Sequence, residues 1–271
     1  MLKKLYKYEF KSYLPSLPIL WAAVVLLGGL SGLFLRLCEN AAMAAVERGA
    51  QAEALHDFLQ NVSNSLNTVY LLTLLSTGIS VIALFFTRFD RTMVKKQAYL
   101  TFSLPVSVNA HLICKVVTAF VYCLLTGFVC LLSGLLYLAF LAPTPQELWQ
   151  VIWDVAKDLL SLNASDTVRF VLIVLILLAG VLAFLLQYAF GVSIGQRFKN
   201  RGLATTLVYV GIWFVFLTAL STAIPFLLID WITEGFSVFA TLSFILAAVL
   251  AVAAVYYFVA RYFFEKKLNL E

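Results

Sequence analysis

Four cysteines, two histidines and a scatter of hydroxyl and amide side chains are the residues from which this chain could build chemistry. Cys38 follows the first apolar run, and Cys114, Cys123 and Cys130 lie in or beside the third. The sequence has no C-x-x-C pair and no Cys/His cluster, so zinc and redox readings lack support and the cysteines read as small packing side chains. His56 and His111 are far apart and match no metal-binding spacing. There is no G-x-x-x-x-G-K-[ST] phosphate loop, nor any Gly-Lys pair. Catalytic, cofactor-binding and metal-binding residues are therefore expected to be absent. If the chain moves something uphill, its energy must come from a partner.

The polar residues inside apolar stretches are mild: Ser76, Thr77 and Ser80; Thr118 and Thr126; Gln187 and Tyr188; Thr205 and Thr206. Hydrogen bonding between helices accounts for most such residues. The sharper reading has Gln187 and Tyr188 lining a substrate path. No apolar run holds Asp, Glu, Lys, Arg or His. Those residues mark proton relays, ion-coupled transport and intramembrane catalysis, so a proton-driven pump and a membrane protease are both disfavoured.

The elements that must position these residues follow from composition. Of 271 residues, 63% are hydrophobic and 12% charged, with a mean hydropathy of +0.97. A soluble domain is about half apolar and a quarter charged, so the chain reads as an all-α integral membrane protein. Charge-free runs long enough to cross a bilayer occur at 17–35, 68–87, 116–142, 170–196, 202–229 and 235–260. They are continuously apolar, as helices are, rather than alternating like barrel strands. Six transmembrane helices are predicted in a single domain over 1–271, at about 17–37, 67–88, 112–141, 168–196, 202–229 and 235–262. Pro225 near the end of the fifth is compatible with a kinked end or a short re-entrant excursion over 221–235.

Lysine and arginine set the orientation. Of the 19, fifteen fall before the first span, between spans two and three, between four and five, or after six. Arg36, Arg48, Lys157 and Arg169 fall on the other side. Both termini are thus expected in the cytoplasm, and the net charge of +5 reflects inner loops rather than nucleic-acid binding. The start, MLKKLYKYEFKSYLPSLPIL, lacks a cleavage pattern after a short apolar stretch and is expected to be retained. Residues 1–14 predict an interfacial helix, with Leu2, Leu5, Tyr6, Phe10 and Tyr13 on one side and Lys4, Lys7 and Lys11 on another.

Two outer segments are predicted, 38–66 and 142–167. The first is Ala-rich and helix-prone, with Leu55, Phe58, Leu59 and Val62 at helical spacing. Within the second, 146–161 predicts an amphipathic surface helix with Trp149 and Trp153 at headgroup level. Gly28-Gly-Leu-Ser-Gly32 and Gly191-Val-Ser-Ile-Gly195 permit close helix approach, either within the subunit or at a dimer contact.

The largest inner loop, at 89–108, carries a motif. Arg91, Lys95 and Lys96 lead into Tyr99-Leu100-Thr101-Phe102-Ser103-Leu104-Pro105-Val106, and Leu112 to Lys115 open span three. This loop resembles the one between spans two and three of ABC-2 type transporter permeases, notably those of bacterial antimicrobial-peptide and multidrug exporters. The basic start, the EKKLNLE end and the six-span layout are also similar. Relatives often carry an acidic residue where this chain has Gln97-Ala98.

The resemblance implies a plasma-membrane permease subunit of an ATP-driven exporter. It would pair with a second permease copy or paralogue and with separate ATP-binding subunits that hold the ATP. It implies that the loop is a cytoplasmic coupling helix. Arg91, Lys95 and Lys96 would give charge complementarity, and Tyr99, Leu100 and Phe102 buried anchors. Pro105 would end the helix. The rival expectation is a membrane sensor or assembly protein that uses its outer segments and has no ATPase partner.

Overall fold

A computed structural model describes residues 2–48, 50–94, 106–141, 164–195, 207–213 and 238–266, with Trp149, Gln150, Trp153, Lys157 and Thr205. Its elements are helices α1 (Leu2–Tyr13), α2 (Leu17–Arg48), α3 (Ala50–Met93), α4 (Val108–Leu141), α5 (Ala164–Gly195) and α6 (Val238–Lys266). Residues 207–213 are also helical, and no strand occurs among the described residues. Five helices are long and apolar enough to cross a membrane: Leu17–Met43, Ala54–Met93, Val108–Phe140, Asp166–Gly195 and Phe239–Lys266. In hydrocarbon every backbone polar group must be satisfied internally, and a helix does this within one segment. The expected span at 202–229 lies largely outside the described residues, as does most of 142–163.

The helices outrun the apolar runs that predict them. α2 continues to Arg48 and α3 begins at Ala50, so of the segment expected as a separate outer element, 38–48 and 50–66 are helix continuous with the two spans. Its Ala-rich composition supports helix without apolar burial. At 1.5 Å per residue, the 44 residues of α3 reach about 66 Å, roughly twice the hydrocarbon thickness. The two helices meet again beyond the apolar stretch. Cys38 Sγ approaches Gln60 Oε1 at 2.7 Å and His56 Nδ1 at 3.7 Å.

Contacts divide the chain into two compact units, and the division falls within α1, α3 and α4. In the unit of 10–84 and 121–161, Tyr13, Leu17, Val81 and Tyr122 form a core with Trp21, Leu84 and Cys123 against it. α2 lies close on α4 because it is smooth there. A Cβ on Gly32 would stand 3.1 Å from Tyr137 Cα and 3.2 Å from Phe140 Cβ. A Cβ on Gly28 would stand 3.0 Å from the Ser133 carbonyl oxygen and 3.1 Å from Tyr70. The Gly28–Gly32 pattern thus serves packing within the subunit.

Polar side chains fasten the approach. Ser133 Oγ donates to the Val24 carbonyl at 2.9 Å and lies 3.1 Å from the Tyr70 hydroxyl. Trp21 Nε1 donates to Thr126 Oγ1 at 3.1 Å. The hydroxyls of α3 act differently. Thr73, Ser76, Thr77 and Ser80 donate to carbonyls of their own helix, at 2.7 to 3.0 Å, rather than to neighbours.

In the unit of 1–9, 85–120 and 162–271, α5 packs on α6. Its core joins Phe85, Phe89 and Met93 of α3, Leu112 and Val116 of α4, Leu185, Ala189 and Val192 of α5, and Ala253, Ala260 and Phe264 of α6. Gly195 sits against Thr205, whose Cα would lie 2.9 Å from an added Cβ. The Gly191–Gly195 pattern therefore also serves contact within the chain.

Overpacking a tight helix contact costs about 1–3 kcal/mol. Gly32→Leu is expected to lower the detergent-solubilised melting temperature by several degrees. Gly134→Ala, which meets nothing within 4 Å, is expected to leave it unchanged or raise it slightly. Thermal unfolding of the two variants checks this.

Candidate functional site

The segment 95–105 holds Lys95, Lys96, Tyr99, Leu100, Phe102 and Pro105, all outside the described residues. Both of its stems are described. The incoming stem is the last turns of α3, where Phe85, Phe89 and Met93 point inward at helical spacing and are at most 1% exposed. Arg91, between them, is exposed. The helix closes with Val94 N–H donating to the Asp90 carbonyl at 3.1 Å.

The outgoing stem starts at Ser107, which caps α4. Ala110 N–H lies 3.3 Å from Ser107 Oγ and 3.0 Å from its carbonyl oxygen. A serine at this position satisfies an amide that has no partner within the helix. Leu112 and Val116 then enter the core that already holds the incoming stem. Tyr257 of α6 donates to Asn109 Oδ1, and Phe89 meets Phe264 edge to face at 6.1 Å. The two stems and the end of α6 therefore share one packed cluster.

Tyr188 belongs to this mount. Its ring stacks on Phe86 at 3.7 Å and 8°, and it meets Phe85 and Phe89 edge-on at 5.9 and 6.0 Å. Its hydroxyl donates to Asp90 Oδ1 at 3.1 Å. Asp90 lies just past the apolar run of α3, so the carboxylate reaches back along its helix to a phenol of α5. Tyr188 is thus a joint between α3 and α5.

Gln187 faces elsewhere. It lines a cleft of about 290 Å³ together with Gly180, Ala183, Phe184, Trp213, Ala248, Val249, Val252 and Tyr256. Successive helix positions are turned about 100° apart, which separates the two residues the sequence reading treated as a pair.

A second joint lies at α1. Lys115 stands two turns into α4, with its side chain 5% exposed, and forms an ion pair with Glu9 of α1, itself 17% exposed. Tyr6 turns the same way, and burial first and the Cys114 thiol second push its phenol up from its ordinary value. In the other unit, Tyr122 of α4 donates to the Phe10 carbonyl at 2.7 Å, and Phe10 and Tyr13 stack on its ring at 4.7 and 4.9 Å. Phe10 is in the last turn of α1, where carbonyls lack helical partners, so the phenol serves as a cap.

α1 is therefore bound to its own protein, with Lys3, Lys4, Lys7, Tyr8 and Lys11 exposed. Sequence reasoning counted Lys115 among the loop charges. Its signal was the single carboxylate in an otherwise basic helix, 106 residues away.

Among the described residues, no three His, Cys, Asp or Glu side chains gather as for a metal ion. The geometry is a mechanical mount beside an apolar cleft. Compared with protein-family models, curated proteins and solved structures, the chain matches none of them.

Removing one partner of a buried ion pair costs about 3–5 kcal/mol, whereas replacing both with apolar groups is often neutral. Glu9→Leu is expected to destabilise the protein strongly. The double variant Glu9→Leu, Lys115→Met is expected to recover most of the loss, as read by a double-mutant cycle of thermal unfolding. Tyr188→Phe keeps the stack and loses the hydroxyl bond, so a drop of about 1.5–3 kcal/mol is expected from the same measurement.

Proposed function

We propose that the chain is the membrane-spanning permease subunit of an ATP-driven, ABC-2 type exporter. It would work with a second permease copy or paralogue, as a dimer, and with a separate ATP-binding subunit that docks on residues 90–105. The observation that carries this reading is the common mount of the two stems. A force applied to 95–105 is applied at once to the ends of α3 and α4 and, through Phe264, Tyr257 and Tyr188, to α6 and α5. Packed interiors are stiff and pass such a force on. Exposed Arg91 stands at the mouth of the segment.

In this mechanism ATP binding closes the partner dimer, and the closed dimer holds the docked segment differently from the open one. The difference in contact energy shifts the permease between two packings, which open the path to alternate sides. The chain's own part is positional. Arg91, Lys95 and Lys96 orient the dock, Tyr99, Leu100 and Phe102 anchor it, and the Phe85–Phe264 core transmits it. The partner supplies the phosphate chemistry.

The rival reading is a sensor or assembly protein without an ATPase. It draws support from the α2–α3 hairpin, which exposes Met43, Leu55 and Phe58 beyond the most apolar stretches.

The deciding experiment is co-purification with the Walker-motif protein encoded nearest the gene. Replacing Tyr99, Leu100 and Phe102 with serine is expected to abolish the complex and ATP-dependent export while leaving the membrane fold intact. Retention of both complex and export in this variant overturns the docking assignment. Absence of any ATPase partner favours the sensor.

A further inference from the structure

We infer that the cleft between α5 and α6 binds an uncharged amide group carried on an aliphatic chain. This names a substrate class for the exporter reading and rests on it for biological use, although binding itself needs no partner protein. The lining includes small residues, Gly180, Ala183 and Ala248, which leave room for a chain. A Cβ on Gly180 would meet nothing within 4 Å. The lining also includes the aromatic Phe184, Trp213 and Tyr256. At about 290 Å³ the cleft stands at the small end of ligand pockets and takes one short segment of a molecule.

The discriminating group is Gln187. It is 8% exposed, lines the cleft and makes no hydrogen bond among the described residues. Its side chain presents N–H donors and a carbonyl acceptor in one plane. An amide facing an otherwise apolar cleft is answered there only by what enters, so an occupant with matching polar atoms gains over one without them. A hydrocarbon answers neither function, and an ester carbonyl answers only the donor. A primary amide offers a C=O and the N–H cis to it on one edge and answers both. A cation or carboxylate would shed its water with no counter-charge among the lining residues. The remaining surface is apolar and suits the chain attached to the amide.

The test uses the full chain reconstituted in phosphatidylcholine vesicles and follows tryptophan fluorescence. 9,10-Dibromostearamide is titrated beside methyl 9,10-dibromostearate and a dibromoalkyl trimethylammonium. Bromine quenches on contact, and Trp213 is one of five tryptophans. The amide is expected to produce a saturable component that Trp213→Phe removes, and to bind about ten-fold tighter than the ester. Gln187→Leu is expected to bring amide and ester level. Persistence of the ester's saturable quenching in that variant shows that the cleft still forms.

The inference is overturned by equal binding of amide and ester to the unaltered chain, by preference for the ammonium, by an amide preference that survives Gln187→Leu, or by lack of any saturable component. An amide preference in a chain that recruits no ATPase leaves the site standing and removes the exporter reading. ATPase recruitment without amide preference does the reverse.

Discussion

The packing of Phe85, Phe89 and Met93 against Leu112, Val116 and Phe264 is the constraint on which the unit of 1–9, 85–120 and 162–271 depends. A polar segment leaves one apolar helix and returns through another, and its stems would splay without a common anchor. The anchor is made of large, fully buried side chains at successive helical turns, which fixes the rotation of each helix as well as its distance. Once α3 and α4 are set, Tyr188 can reach Asp90 and Tyr257 can reach Asn109. The polar contacts follow from the apolar ones, since neither bond forms if a helix turns by one residue.

Charge enters this apolar setting under strict conditions. Lys115 is tolerated within α4 because Glu9 of α1 comes to it. The exposed lysines of α1 need no such partner, and they face away from the ion pair. One short helix thus carries two kinds of charge: a single carboxylate turned inward that fixes its place, and four lysines turned outward that leave it a basic surface.

How far the sequence discloses this depends on the range of each interaction. Membrane helices are legible because continuous apolar character is a local property, and five of the six expected spans appear among the described residues. The true ends of α2 and α3 are less legible. AAMAAVERGAQAEA has no apolar periodicity to join the first span to the helical spacing of Leu55, Phe58, Leu59 and Val62, so the extension looks like a separate element. Gln187 stands out in sequence as an amide in a charge-free run, and the cleft gives it a place. The inward turn of Tyr188 depends on a carboxylate 98 residues away, and the pairing of Cys38 with His56 and Gln60 depends on how two helices align. Such contacts are products of tertiary packing and leave no mark in local spacing. The glycine patterns announce close approach but not its partner, and only packing assigns Gly32 to α4 and Gly195 to Thr205.

α3 has a further property that follows from its length. Its 44 residues contain no proline, and its single glycine, Gly78, falls among the hydroxyls of Thr73, Ser76, Thr77 and Ser80, which share the helix's own carbonyls. Back-bonded hydroxyls beside a glycine are where a helix bends with least resistance. Gly78 divides α3 into arms of about 42 Å toward Ala50 and about 22 Å toward Met93, at 1.5 Å per residue. A helix that gives there acts as two stiff rods in series, and sideways travel of one rod is absorbed at the joint.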